Sequence, residues 1–407
     1  MRNLVKNIKN KEAAAVYYAG TALSNLAGSL TFAIYTIFLL KNGMDLFQIS
    51  LINVIYMVTI VILEVPTGAF ADAIGRKKAV LISSIICSLG FATYAVSRTI
   101  FGFAMAEILV GVSSTLIYGA FEAWFVHASS KQGFTGKVDF VFSQANIYAK
   151  GAGIIGGVIG GYLASYNIAA PFIIGAILCF IQFAFFLIFM VDDMEETKPL
   201  HIKKAFYQIK EIASTSVKYC LGHKVLIWVI LGGATLSFIA QPLNMFWAPR
   251  FNEMLGDKLY IMGWLWAILT GMSLVGSLWA KYMLKKNKSY TYIMIFSIVL
   301  FSIMLLISSL SAIAWLAISS FALHELSRGI KDPIQLSYIN KFASEKERAT
   351  IFSFESMVVT TGSALGLILF GLIARQYGIP VSWTISALLA VAVIPIYLKA
   401  KSAEKNL

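Results

Sequence analysis

Residues 64–78 read EVPTGAFADAIGRKK. A carboxylate, a helix breaker, a run of small residues, a second carboxylate and a basic cluster follow within one short piece. Long apolar segments flank it on both sides. Pro66 lacks an N–H and is expected to kink the span that carries it. Gly68, Ala69 and Ala71 make a small face that lets another helix approach closely. Asp72 stands four residues before Arg76, a spacing that allows the two to pair along one helical face. Gly75 permits a tight turn, and Arg76, Lys77 and Lys78 fix orientation and can reach phosphate headgroups. The stretch reads as a charged connection between two membrane spans.

The rest of the chain agrees. Of 407 residues, 58% are hydrophobic and 13% charged, against about 25% charged in a soluble domain. The mean hydropathy is +0.77. Almost every long charge-free stretch reaches the ~20 residues that a helix needs to cross a bilayer. The expected fold is an all-α integral membrane protein with twelve transmembrane helices. They are placed at 13–40, 46–73, 79–97, 100–129, 138–165, 169–191, 224–249, 259–284, 290–310, 312–340, 348–374 and 380–398. The N-terminal segment is basic, but the helix behind it has no small-residue cleavage site, so a retained first span is expected. Cys87, Cys179 and Cys220 are scattered without metal or disulfide spacing.

The polar stretch 192–223 divides the chain into an N-terminal half, 1–191, and a C-terminal half, 224–407. Ile202, Phe206, Ile209 and Ala213 give this linker the pattern of an amphipathic surface helix. On this topology, 25 of the 33 Lys and Arg residues fall on one side, five on the other and three inside spans. Positive residues stay cytoplasmic, which predicts that both termini and the linker are inside. The net charge of +13 is then membrane topology and no nucleic-acid footprint. An offset of 210 aligns Phe142 with Phe352, Ser143 with Ser353, Gly156 with Gly366, Gly161 with Gly371, Ala164 with Ala374, Gly119 with Gly329 and Glu122 with Asp332. This repeat predicts two pseudo-symmetric six-helix halves with a site between them.

The pattern Gly68, Asp72, Gly75, Arg76, Lys77 after the second of twelve spans resembles the major facilitator superfamily. The resemblance covers the whole chain: span number, central linker, half-chain repeat and termini. The EVPTG lead-in, EAW at residues 122–124 and RGIKDP at 328–333 resemble its drug-efflux-type branch. The resemblance implies a secondary transporter working by alternating access. It implies that Asp72 and Arg76 form a cytoplasmic latch in the outward-open state, with Glu122 as the acidic partner near the end of span four. The plainer reading of GRKK is a topology signal alone. The equivalent stretch GSLWAKYMLKK, residues 276–286, has Ala280 where the acid would be, so the latch is expected on one half only.

Ionisable groups inside spans cost ~2.5–3.5 kcal/mol or more, so each needs a reason. Glu64, Glu107, Glu122, Lys150, Glu325, Arg328, Asp332 and Glu355 qualify. Efflux members of the resembling family often carry an arginine in span four, where EILVG (107–111) puts an acid. Glu107 is therefore a candidate to load and release a proton, and Lys150 a possible neutralising partner for a nearby glutamate. Glu325, Asp332 and Glu64 are the other coupling candidates. Glu325, Arg328 and Asp332 share a helix face, read either as a self-neutralising cluster beside Pro333 or as a site for substrate or proton relay. His324 is a possible relay or a hydrogen-bonded spectator. KGAGIIGGVIGG, residues 150–161, reads mainly as close helix packing. It keeps the glycine spacing of the family's antiporter motif, with Gly157 in place of its proline. Asn25, Tyr35, Tyr148, Lys150, Gln241, Asn244, Arg328 and Glu355 are candidates to line a central cavity, because polar groups avoid lipid.

The expected function is proton-coupled efflux of an amphipathic organic compound. The alternative is proton-coupled transport of one metabolite, for example an anionic one using Lys150 and Arg328. An intramembrane enzyme is a remote third class: HELSR lacks the second histidine of HExxH, and no GxSxG or P-loop occurs. The expected partners are a small-molecule substrate, protons and membrane lipids. No cofactor, metal or nucleic acid is expected, and the protein is expected to be a monomer in a bacterial cytoplasmic membrane.

Overall fold

The structure is a computed structural model that describes residues 2–131, 133–134, 136–191, 222–343 and 348–405. The linker helix expected at 202–213 lies outside the described residues. All regular structure among them is helical. The helices are α1 (Arg2–Phe32), α2 (Tyr35–Lys41), α3 (Leu46–Ile74), α4 (Arg76–Val96), α5 (Ile100–Ile117), α6 (Ala120–Lys131), α7 (Val138–Tyr166) and α8 (Ala170–Phe189). After the linker come α9 (Lys224–Met254), α10 (Leu259–Lys285), α11 (Tyr290–Leu310), α12 (Ala314–Phe342), α13 (Arg348–Tyr377), α14 (Ile379–Val391) and α15 (Ile394–Lys405).

Among the described residues, ten helices are long and apolar enough to cross a membrane, taking Ile100–Lys131 and Ile379–Lys405 as one span each. The bent pair Ala13–Phe32 and Tyr35–Lys41 makes up to eleven. The 29-residue α12 is outside that set. Its polar centre, from His324 to Asp332, interrupts an otherwise apolar run.

Three expected spans are broken, each for a local reason. The first bends by 42° between α1 and α2. The fourth breaks at Gly119, whose φ of +76° ends α5 before α6 begins. The last is interrupted at residues 392–393, just before Pro395. Pro66 does not end α3, which runs through it. Beside it, Thr67 donates its hydroxyl to the Leu63 carbonyl (2.7 Å) and lies 3.2 Å from that of Thr115. Such hydroxyls help a span tolerate proline.

The chain forms two compact units. The first is drawn from the described residues of Met1–Phe38, Ile55–Gln208 and Leu259–Trp266. Here α1 lies along α7, and glycine makes this possible. A Cβ on Gly156 would stand 2.7 Å from the Leu26 carbonyl oxygen, and one on Gly160 would overlap the Leu30 carbonyl. Gly161 does the same for the start of α10, 3.0 Å from the Gly263 nitrogen. Tyr17, Phe121, Phe125, Phe142 and Phe186 fill the space at one end of the unit.

The second unit is drawn from Leu39–Val54, Ile209–Lys258 and Ala267–Leu407. α13 packs on α9 as α7 packs on α1. A Cβ on Gly362 would stand 2.8 Å from the Ala234 carbonyl oxygen, and Gly366 has no room beside Phe238. Gly371 abuts the start of α3, its Cβ position 2.7 Å from Ser50. Gly156 and Gly366, and Gly161 and Gly371, are thus equivalent in contact as well as in spacing. Gly119 and Gly329 are not: the first is a break, while the second lies within α12 against the Ser273 carbonyl.

The start of α3 is fixed by a reciprocal cap. Asp45 Oδ1 accepts from the Phe47 and Gln48 N–H groups, and Gln48 Oε1 accepts from the Asp45 N–H, each at 2.9 Å. Lys41 bonds Asp257 at 2.9 Å. Donation from Asn252 (2.7 Å) and from Lys41 holds the Asp257 carboxyl below its ordinary range.

Candidate functional site

The first unit buries one carboxylate deeply. Glu107, on α5, is 5% exposed. The Tyr35 hydroxyl donates to its Oε1 at 2.6 Å, and the Tyr94 hydroxyl lies 3.3 Å from that of Tyr35. Tyr35 is the first residue of α2, and Tyr94 is near the end of α4. Phe103 and Phe172 wall this group from the sides, with ring centroids 5.9 and 5.2 Å from Tyr94. Among the described residues no Lys or Arg forms an ion pair with Glu107. Lys150 does not fill that role: it is exposed on α7 and makes no ion pair among the described residues. An acid solvated by phenols alone can take up a proton without breaking a salt bridge.

The second unit carries a cavity of about 70 Å³ between α9, α11, α12 and α13. Its polar wall is formed by Gln241, Asn244, Ser237, Ser297, Arg328 and Asp332. Ser327, Lys331 and Ser363 contribute from the same helices, and Phe301 supplies an aromatic face. Arg328 Nη1 donates at 2.7 Å to Asn244 Oδ1 and at 2.7 Å to Glu325 Oε1. Asn244 in turn donates to Gln241 at 2.8 Å. Both Arg328 bonds use Nη1. Its Nε and Nη2 donors make no hydrogen bond among the described residues, and they are not among the polar atoms sealed from solvent. Lys331 pairs with Asp332 at 3.1 Å.

Behind this wall His324 is fully buried, its ring tilted against those of Phe301 and Phe321 (4.4 and 4.8 Å). Its Nδ1 is 3.5 Å from Glu325 Oε1. Toward the end of the unit Gln335 donates to Glu355 at 2.9 Å. Glu355 therefore belongs to a separate pair, outside the cavity wall.

The loop of residues 72–77 departs from one expectation. Gly75, with φ +97°, separates α3 from α4, so Asp72 and Arg76 do not share one helical face. Among the described residues no ion pair joins Asp72, Arg76 and Glu122, and both acids are exposed. Arg76 instead donates to the Ala123 carbonyl on α6 at 2.9 Å, next to Glu122. Lys77 donates to the carbonyls of Leu187 (3.1 Å) and Met190 (2.6 Å) at the end of α8. Trp124 closes the same corner by donating to the Val191 carbonyl at 3.0 Å. Lys77 thus caps the C-terminal end of α8, where carbonyls lack intrahelical partners, while Arg76 ties the loop to the first turn of α6.

Of the sequence-predicted cavity residues, Gln241, Asn244 and Arg328 converge. Tyr35 turns to Glu107 instead. Asn25, Tyr148 and Lys150 are exposed, Asn25 bonding its own helix at Thr21 (2.9 Å) and Tyr148 lying against Tyr18 (5.3 Å). Glu64 is also exposed. Sequence reasoning missed Tyr94 and the serines of the cavity, for which no spacing gave a signal.

A sequence-family model for the Major Facilitator Superfamily matches residues 17–353. The chain belongs to this superfamily. It is a multi-pass membrane transporter of that type. It is 26% identical over 393 residues to a Bacillus subtilis (strain 168) protein described as the uncharacterized MFS-type transporter YxaM, covering 96% of this chain and 97% of that one. Among solved structures it is similar to the nucleoside transporter NupG (TM-score 0.78, 15% identity, 95% of this chain and 98% of that chain). It is also similar to the POT family transporter PepTSo (TM-score 0.73, 14% identity, 97% and 98%). A bacterial homolog of the human lysosomal transporter Spinster gives a TM-score of 0.76 at 11% identity, covering 98% of both chains. At such identities the likeness is one of fold.

Proposed function

We propose that this protein is a proton-coupled secondary transporter that exports an amphipathic organic compound by alternating access. Twelve crossings in two related halves, with both termini in the cytoplasm of a bacterial cell, complete this reading. It is supported by the glycine contacts repeated at an offset of 210 and by the one-sided distribution of Lys and Arg. The observation that carries the coupling is Glu107: an acid buried in a span, tied to a phenol at 2.6 Å and lacking a basic partner among the described residues. Asp72, Arg76 and Glu122 act as a latch in another conformational state, for which Arg76 beside the first turn of α6 is well placed.

The test uses inverted vesicles and a panel of cationic, neutral and anionic fluorescent dyes. Glu107→Gln keeps the shape and removes the titratable group. It is expected to abolish dye transport driven by a pH gradient while leaving equilibrium dye binding in place. Full gradient-driven flux in Glu107→Gln removes Glu107 as the carrier and moves the role to Glu325 and its neighbours.

One observation favours the second reading, a substrate with an anionic group. The Nε and Nη2 donors of Arg328 make no hydrogen bond among the described residues, and a guanidinium edge matches a carboxylate in two-point contact. Anionic dyes competing best in the same panel, with Arg328→Lys losing that preference, support it over the first.

A further inference from the structure

The bend in the first span has no proline or glycine at the break. Residues 31–35 read TFAIY, yet the axis turns by 42°. Sharp kinks ordinarily have a proline, a glycine or serine pair, or an inserted group as their cause. Here two local features soften the helix. Thr31 turns its hydroxyl back to the Gly28 carbonyl at 3.0 Å, a bond that bends helices. The Ile34 N–H bonds three residues back, to Thr31, at 3.0 Å. Neither fixes the direction of the bend. The contacts that do so are made by α2. Tyr35 is held by Glu107, and Phe38 packs on Phe103 and Phe172 (5.8 and 4.3 Å). The break also lies just before the point where the chain leaves the first unit, at Phe38.

We infer that Tyr35 is a positioning residue that carries the protonation state of Glu107 to the break in the first span. This rests on the reading of Glu107 as the proton site. With Glu107 ionised, the Tyr35 hydroxyl donates to a full negative charge, and the short charge-assisted bond pins the first turn of α2. When a proton binds, the carboxylate becomes a neutral carboxyl. Tyr35 keeps its own proton, and no other bond is made or broken. The tether falls to an ordinary hydrogen bond, and the softened break at residues 33–34 is released.

Few other groups can mask this link. The titratable groups that face Glu107 are Tyr35 on α2, Tyr94 on α4 and, further off, Tyr56 on α3, whose hydroxyl is 3.3 Å from Ser114 Oγ. Cys87 on α4 and Cys179 on α8 face each other at 3.2 Å. α8 otherwise brings Phe172 to this group. Among the described residues no Lys, Arg, His or second carboxylate makes an ion pair there.

The experiment needs no substrate. Hydrogen–deuterium exchange of the purified full-length protein is followed in peptides covering residues 31–41, corrected for intrinsic exchange, as the pD is lowered. Infrared difference spectra over the same range follow the carboxyl band of Glu107. In the wild type, protection at residues 33–38 is expected to fall about tenfold as Glu107 binds its proton, the size that weakening one charge-assisted hydrogen bond to a neutral one allows. Tyr35→Phe is expected to keep the carboxyl band and lose the step in protection. Tyr94→Phe, which leaves the Tyr35–Glu107 bond in place, is expected to keep both. Glu107→Asp withdraws a still-titratable carboxyl from Tyr35 and is expected to lose the step, so the inference stands testable if Tyr35→Phe does not fold. A step that persists in Tyr35→Phe or in Glu107→Asp, or that Tyr94→Phe abolishes equally, overturns the inference. A step that persists in Glu107→Gln overturns instead the reading of Glu107 as the proton site.

Discussion

The pair of Glu325 and Arg328 can be weighed by a double-mutant cycle. Breaking a fully buried ion pair by removing one partner costs about 3–5 kcal/mol, because the other charge is stranded. Two features of the structure lower that figure here. The side chains are 14% and 26% exposed, so water reaches part of the site. Asn244 also holds Arg328 by a second bond of 2.7 Å. Glu325→Gln is therefore expected to cost about 2–3 kcal/mol, below the range for a sealed pair. Replacing both residues, Glu325→Gln with Arg328→Met, strands no charge and is expected to cost about 1 kcal/mol or less. For a unit of this size, about 2–4 °C of melting temperature corresponds to 1 kcal/mol, which puts the single variant roughly 4–12 °C below wild type. Thermal unfolding of the purified protein in detergent, followed by monodispersity or intrinsic fluorescence, reads these shifts. The reasoning fails if the double variant melts at the sum of the two single shifts. Independent sites add within about 0.5 kcal/mol, and a cluster that acts as a unit does not.

Other expectations follow from single contacts. Gly160→Ala must push the Leu30 backbone aside and is expected to destabilise by about 1–3 kcal/mol. Gly151→Ala, with nothing within 4 Å of the added carbon, is expected to be neutral or to gain up to about 1 kcal/mol from helix propensity. Equal melting temperatures for the two variants would contradict the packing account. Lys41→Met removes an exposed pair to Asp257 and is expected to cost about 0–1 kcal/mol at neutral pH. The Asp257 carboxyl is held below its unfolded value. Its contribution is thus present above about pH 3.9 and fades as pH falls through the depressed folded value, which a pH series of melting curves tests. Asp72→Asn is expected to cut transport strongly in a folded, membrane-inserted protein, and a wild-type rate in that variant would discard the latch.

Much of the helical frame was legible because membrane spans announce themselves by length and by the charges at their ends. The glycine spacing of residues 150–161 was legible as packing, and α7 meets α1 through those residues. The breaks were not equally legible. Gly119 is one glycine among 30, and only its positive φ distinguishes it. The bend at residues 33–34 has no proline or glycine to mark it, and its direction depends on contacts that α2 makes with residues far along the chain. The candidate site divides in the same way. Gln241, Asn244 and Arg328 lie on facing helices and converge. Asn25, Tyr148 and Lys150 lie exposed on helices of the first unit, and their place in a central cavity remains part of the proposed function.

α12, which is not among the apolar spans, supplies the charged part of the cavity wall. α12 carries His324, Glu325, Arg328, Lys331 and Asp332 within one stretch, and each ionisable group there costs about 2.5–3.5 kcal/mol or more if left facing hydrocarbon. The structure offsets part of that cost locally, through Glu325 with Arg328 and Lys331 with Asp332. Local pairing alone does not require a concavity, four nearby serines or an unpaired guanidinium edge. A self-neutralising cluster kept only for stability would be better replaced by apolar residues, since buried ion pairs are often no more stable than a packed core. The open edge of Arg328 and the polar wall opposite it therefore favour a binding role for this stretch. Glu107 differs in kind: among the described residues it makes no ion pair, and it is held by phenols, Tyr35 at 2.6 Å beside the bend and Tyr94. An acid so placed is poorly suited to hold a ligand and well suited to register one proton. On the proposed reading, substrate recognition would fall to the second unit and proton coupling to the first.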